Sequence, residues 1–532
     1  MNRFKIHQKA EIELPTGSKK VTLFFLFFAM AFGIFVRIYP LLQASFPLVD
    51  GGMFYTMIRD LQASHFALPA YTTYNQASIP YAYPPLAFYI AGLLNTFAGI
   101  SLLEIIKWQP VVVNILSMPL FYIFVRRLLG KEPEAALATF IFVLIPNSYW
   151  WQIVGGGLTR ALGGFFFLLT AYGASRMYHE KKTVWIFFTI LAGSLVVLSH
   201  LEWALQAATA GFIFWIFLGR NRRGVFMTAA VIAGIMLVTS PWWGTVIHQH
   251  GIGIFYRASQ ATYPHWSFWE PLLNMSFTRE PTGVIAILAL VGFFIQFARK
   301  EYLLDTWLLL ALMADPRGGL PASVVPASLL ALTTISTGIA PQLVKMQLGS
   351  SATGDWIDSL KTTIGRSFWC CLIILLVTNA FFQSFLLSNR FLGTEELNAL
   401  QWVKSHTAPA GRFLVLEWED SWALSPLLEW FPALTDRRSI TTIQGTEWLA
   451  GENGFDLQGE RFSKSKLCLY DKVSCLDDLS NDPAAQFDYV LISSNVPGAA
   501  NRQSSLLVSL ENSVEFQLVH SSPGVKIFRV LK

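Results

Sequence analysis

From Val21 to about residue 388 the chain is a succession of apolar runs separated by short polar loops. Runs of about 20 apolar residues match the hydrocarbon core of a bilayer, where backbone groups must bond within the chain itself. Such a succession folds into a bundle of membrane helices. The runs fall at 21–42, 106–128, 133–150, 158–178, 183–199, 203–219, 223–245, 281–298, 302–314, 320–340 and 367–388, about eleven spans. The segment Pro84–Ile100 is short and opens with Pro-Pro, and it reads as an interfacial helix, as does Met53–Phe66.

Only 14% of the residues are charged, against about 25% in soluble proteins, and the deficit lies before Arg390. The expected fold class is therefore mainly α: a polytopic helical membrane protein carrying a C-terminal α/β outer domain. The expected organisation is a cytoplasmic tail (1–20), a transmembrane domain (21–389) with its first outer loop at 43–105, and an outer soluble domain (390–532). The first apolar run is too long for a signal-peptide core and reads as an uncleaved helix. The net charge of +5 is dispersed over short loops, which leaves no nucleic-acid footprint.

Lysine and arginine favour cytoplasmic loops. With the N-terminus inside, the inner segments hold Arg126, Arg127, Lys131, Arg176, Lys181, Lys182, Arg220, Arg222, Arg223, Arg299 and Lys300, among others. The outer segments hold only Arg59, Lys107, Arg160, Arg257, Arg279 and Arg317. Counting Pro84–Ile100 as a span would reverse that asymmetry. The expectation is a multi-pass plasma-membrane protein with a cytoplasmic N-terminus and an extracytoplasmic C-terminal domain. In that domain Thr394–Ser405 has helical spacing, while Arg412–Glu417, Phe487–Ser493 and two strands around Ser-Pro-Gly near the C-terminus read as β. Cys468 and Cys475 would there meet an oxidising exterior, which permits a local disulfide; two free thiols are the alternative.

Ionisable residues on the outer face are few. Asp50, in FPLVDGGMFYTMIRD, directly follows the first span; a carboxylate there is either a general base at the membrane boundary or an ordinary loop aspartate. Gly51 and Gly52 allow a close backbone approach, and Tyr55 in the same loop is a candidate donor or acceptor contact. Arg160, after three glycines in GGGLTRALGG, suits a donor phosphate through its planar fork, or else snorkels to the headgroups. Arg317, in ADPRGGLP, is a second candidate phosphate ligand, with Asp315 as its simplest partner. His200 and Glu202 in SHLEW, and Arg279, are candidate donor or acceptor contacts. Glu104 and Lys107 read as a local ion pair.

A first span, an outer loop opening VDGGMFY, an interfacial helix beginning YPPLAFYIAGLL and a span ending FVRRLLGKE together resemble the membrane-embedded GT-C glycosyltransferases. The likeness is to the protein O-mannosyltransferases, the lipid A aminoarabinose transferases and related family-39-like enzymes. It covers roughly residues 20–340 in layout, with motif-like detail at 50–130. The resemblance implies that Asp50 is the catalytic carboxylate and that the donor is a polyprenyl-phosphate sugar. Many members carry an acidic residue directly after that aspartate, where Gly51 stands here, and the D-x-D motif of oligosaccharyltransferases is missing. A divalent metal therefore has no second acidic motif to support it, and no cofactor is implied with certainty.

The resulting expectation is an inverting transfer from a polyprenyl-phosphate-linked donor to an unidentified acceptor hydroxyl at the outer surface of the lipid membrane, with Asp50 as general base. A transporter or flippase of lipid-linked glycans is the alternative, and a catalytically silent scaffold a third.

Overall fold

The computed structural model describes residues 16–260, 267–315, 318–349, 354–419, 421–449, 451–480, 485–494 and 504–531. Helices stand at all of the apolar runs. They are α1 (Thr16–Gln43), α2 (Gly52–Ala63), α3 (Leu86–Ala98), α4 (Leu102–Leu129), α5 (Glu132–Leu144), α6 (Gly157–Glu180), α7 (Thr183–Ser199), α8 (Leu201–Leu218), α9 (Arg222–His250), α10 (Val284–Ala298), α11 (Leu303–Ala314), α12 (Gly319–Leu348) and α13 (Thr363–Leu387). Among the described residues, α1, α4, α8, α9, α12 and α13 are long and apolar enough to cross a membrane by length and composition. Large apolar side chains such as Phe27, Phe187, Phe226 and Leu237 point out of the bundle, where only lipid makes their exposure favourable. The chain is a multi-pass membrane protein.

The run 133–150 does not continue as one helix. It stops at Leu144 and passes into the 3₁₀ turns Pro146–Ser148 and Trp150–Gln152. Proline has no N–H to give and its ring clashes with the preceding turn, so the helix cannot run through Pro146. Arg37, fully buried in α1, reaches across to this break and bonds groups on four elements. It donates to the Val143 and Gly33 carbonyls at 3.0 Å, to Asn114 Oδ1 at 2.5 Å and to Ser148 Oγ at 3.1 Å. Arg37→Met should strand these acceptors at a cost of about 1–3 kcal/mol for each one left unpaired. The expected result is a lower melting midpoint in detergent; an unchanged midpoint would mean that other donors take over.

The C-terminal segment adds α14 (Thr394–His406), α15 (Pro426–Thr435) and a five-stranded sheet. A two-stranded hairpin, β1 (Tyr71–Thr72) and β2 (Ile79–Pro80), lies in the first loop. The larger sheet holds β3 (Arg412–Glu417), β4 (Arg438–Ser439), β5 (Tyr489–Ser493), β6 (Phe516–Ser522) and β7 (Val525–Val530) in the order β4-β3-β5-β7-β6. β3 runs parallel to β4 and β5, while β7 pairs antiparallel with β5 and β6. Almost every residue of β3 and β5 is buried, as a strand covered on both faces requires. Cys468 and Cys475 are joined by a disulfide.

A shared apolar core joins this segment to the first loop: Phe46, Met53, Phe54 and Tyr74 pack with Trp430, Phe431, Ile443 and Trp448. At the opposite end of the bundle Glu180 gathers Arg127 at 3.3 Å, Lys182 at 3.7 Å and Arg176. Arg127, Arg176 and Lys182, which the charge pattern assigns to the inner side, thus lie at the end of α6 opposite the one that meets the Asp50 loop.

Candidate functional site

Asp50 lies between α1 and α2, and its carboxylate is held by the start of α6. Oδ1 accepts the Gly156 N–H at 2.6 Å, and Oδ2 accepts Arg160 Nη2 at 2.9 Å. The anion therefore sits where the amides and dipole of a helix N-terminus favour negative charge. Its side chain keeps 14% exposure and that of Arg160 26%, so the pair is sheltered but not sealed from a substrate. The sequence suggests these two residues separately; the structure brings them together.

The glycines on both sides serve a close crossing of two backbones. The Gly155 N–H donates to the Leu48 carbonyl at 2.9 Å, and a Cβ on Gly155 would lie 1.8 Å from the Asp50 carbonyl oxygen. No rotamer change relieves a clash with backbone. Gly155→Ala should therefore displace Asp50 and abolish turnover, while distant helices keep their circular dichroism. An active Gly155→Ala enzyme would show that this crossing does not set the site.

Arg160 also donates to the Trp151 carbonyl at 3.3 Å and lies 5.4 Å from the Trp151 ring. Arg279 lies 3.8 Å from the centre of the Trp150 ring and 5.7 Å from that of Trp151. Two guanidinium groups thus flank one tryptophan pair, itself packed edge to face at 4.7 Å. Cation–π contact of this kind holds a guanidinium in place without consuming its N–H donors.

A second wall stands beside Arg160. Tyr83 lies beside the Thr159 side chain, and Arg160, Glu202 and Glu447 all act on it electrostatically. Burial pushes the Tyr83 hydroxyl up to about 12, so it stays a proton-bearing donor. His200 is buried with its ring 6.1 Å from that of Tyr83. Asp315 Oδ1 accepts the Gly318 N–H at 2.8 Å, and a Cβ on Gly318 would touch the carboxyls of both Asp315 and Glu202. Arg317 itself lies outside the described residues.

Tyr55 is placed elsewhere: its ring packs near Trp430 and under Arg59. The expected Glu104–Lys107 pair does not form. Glu104 accepts the Trp108 indole N–H at 3.0 Å, one helical turn on, and Lys107 donates to the Ala44 carbonyl at 2.7 Å. Among the described residues no three His, Cys, Asp or Glu gather as a metal-ligand set.

The residue that sequence reasoning missed is Glu429 in α15, with 3% exposure. Its Oε1 accepts the Met53 N–H at 3.0 Å, and its Oε2 has no hydrogen-bond partner. The one available signal is an acid inside the apolar stretch PLLEWFPAL. Burial, with the Asp50 charge adding to it, lifts the Glu429 carboxyl to about 8. A carboxyl raised in the folded state binds its proton more tightly there than in the unfolded chain. Its contribution to stability is complete at acid pH and is lost as pH climbs toward about 8. The melting midpoint of the wild type should therefore fall relative to Glu429→Gln over that interval. Parallel pH profiles for the two proteins would refute the shift.

No protein-family model matches the sequence. The fold is that of the GT-C membrane glycosyltransferases. The structure is similar to that of ArnT from Cupriavidus metallidurans bound to undecaprenyl phosphate, with a TM-score of 0.56 and 11% identity over 95% of this chain and 98% of that one. It is also similar to the arabinofuranosyltransferase AftD from Mycobacteria, with a TM-score of 0.53 and 14% identity over 96% of this chain and 40% of that one. In sequence the chain is 26% identical over 163 residues to dolichyl-phosphooligosaccharide-protein glycotransferase 1 of Archaeoglobus fulgidus. That match covers 30% of this chain and 26% of the relative, about a quarter of its length.

Proposed function

We propose that the protein is a membrane glycosyltransferase that moves a sugar from a polyprenyl-phosphate-linked donor to an acceptor hydroxyl, with inversion and with Asp50 as general base. The observation that carries this reading is the sheltered Asp50–Arg160 pair at the N-terminus of α6, in a fold shared with a protein solved with undecaprenyl phosphate bound. The acceptor oxygen attacks the anomeric carbon and loses its proton to the Asp50 carboxylate, while the bond from that carbon to the phosphate oxygen breaks. The phosphate leaves as a stable anion, so it needs positive charge and no proton. Arg160 has two N–H directions engaged, by Asp50 and Trp151. Of the five donors of a guanidinium, the remainder are free to bind that anion. Arg279, and Arg317 by its place in the sequence, would add charge, while Tyr83, Glu202 and His200 would line the acceptor side. On the same reading the site faces the extracytoplasmic side, and the N-terminus is cytoplasmic.

The test is consumption of polyprenyl-phosphate sugars by the purified protein in detergent, one donor at a time. Release of free polyprenyl phosphate from one donor, dependent on an added acceptor, is the expected result. Transport of labelled lipid across liposomes without any release would replace the enzyme by a flippase.

A further inference from the structure

α2 begins immediately after Asp50, and its cap position is Gly51, which has no side chain to offer. The first amides of any helix need acceptors from outside it. Here the acceptor comes from the far end of the chain. Glu429 Oε1 takes the Met53 N–H at 3.0 Å. The Glu429 main chain is held as well: the Tyr74 hydroxyl donates to its carbonyl at 2.7 Å, and a Cβ on Gly52 would lie 2.3 Å from the same oxygen. One loop position further, Asn75 exchanges two bonds with the Ser439 backbone, at 2.7 and 2.9 Å.

We propose that Glu429 caps α2 in trans and is a positioning residue for Asp50, so that the proposed transferase site is complete only with the C-terminal segment docked. Leu427, Leu428, Trp430 and Phe431 around it are buried and apolar, and they would suffice for adhesion alone. A carboxyl among them is costly to bury; what it adds is direction, because its oxygen fixes the Met53 amide. The carboxylate of Asp50 is tied to α6 on one side, and the backbone that follows it is tied to α15 through Met53 on the other. Loosening the second tie lets the base rotate while Arg160 still holds its charge. Misplacement of a reacting group by about 1 Å can cost about 10²-fold in rate.

This inference rests on the reading of Asp50 as the base, and its test has one arm that does not. Full-length wild type, Glu429→Gln and Glu429→Leu in detergent are compared by amide hydrogen exchange across residues 51–55, and by kcat and KM for the donor that the wild type consumes. Glu429→Leu should lower protection of the Met53 amide by roughly tenfold, the loss of one cap. It should reduce kcat by about tenfold to a hundredfold with little change in donor KM. Glu429→Gln retains a carbonyl oxygen for the Met53 N–H and should restore both to within about threefold. Unchanged protection in Glu429→Leu overturns the cap. A rise in KM alone, or equal loss of kcat in both variants, overturns the positioning role. If Glu429→Leu does not fold, Tyr74→Phe takes its place: it removes the hydroxyl that holds the Glu429 carbonyl, and unchanged exchange at residues 51–55 again overturns the proposal. If the wild type consumes no donor, the transferase reading falls, while the exchange arm still decides whether Glu429 caps α2.

Discussion

Asp50→Asn is expected to lower turnover by about 10²–10⁴-fold, the usual contribution of a general base, while donor binding changes little. Asparagine keeps an oxygen for the Gly156 N–H, so the loop should hold its place on α6. What disappears is the negative charge that accepts the acceptor proton and faces Arg160 at 2.9 Å. Loss of kcat with unchanged donor affinity would separate the chemical role from a structural one. Full activity in Asp50→Asn would return the residue to the ordinary loop aspartate that its position alone allows. Weakened donor binding together with a lowered melting midpoint would make the ion pair structural and leave the base unidentified.

Arg160→Met should reduce kcat by about 10²–10³-fold, the scale found when one donor to a developing anion is removed, and should weaken donor binding as well. The reason is double duty: one guanidinium orients Asp50, grips the Trp151 carbonyl and still has donors for the leaving phosphate. Arg160→Lys keeps the charge and loses the fork, so it should recover only part of the activity. The Asp50→Asn/Arg160→Met double variant should be far less impaired than the product of the single effects, since residues that act as a unit are non-additive. Multiplicative losses would mean that the two side chains work independently. A fully active Arg160→Met would remove Arg160 from the phosphate site and leave Arg279 as the stronger cation candidate.

Much of this architecture is legible before any coordinates are known. The apolar runs, their lengths and the Pro-Pro that opens the segment before α3 all have local physical causes, and helices stand where those causes put them. The exceptions have reasons as well. Pro146 ends α5 early, and the released backbone builds the turn that carries Trp150 and Trp151. The Glu104–Lys107 pairing failed because a helix offers several partners within a turn, and which one wins depends on what else packs there. Asp50, Arg160, Arg279, His200 and Glu202 stood out because charged or polar groups are scarce at the ends of apolar spans.

Tertiary structure alone decided which of these groups meet. Asp50 and Arg160 are 110 residues apart, and Met53 and Glu429 are 376 apart. Arg37 and Glu429 were invisible as functional groups because each lies within a run that reads as apolar packing. The sequence by itself determined that this chain builds a membrane bundle, since a bilayer core leaves the backbone no partner except its own helix. It could not determine which helix start receives the Asp50 carboxylate, or which distant oxygen caps α2. Those pairings are set by the packing of whole elements against one another, and no local period or spacing encodes them.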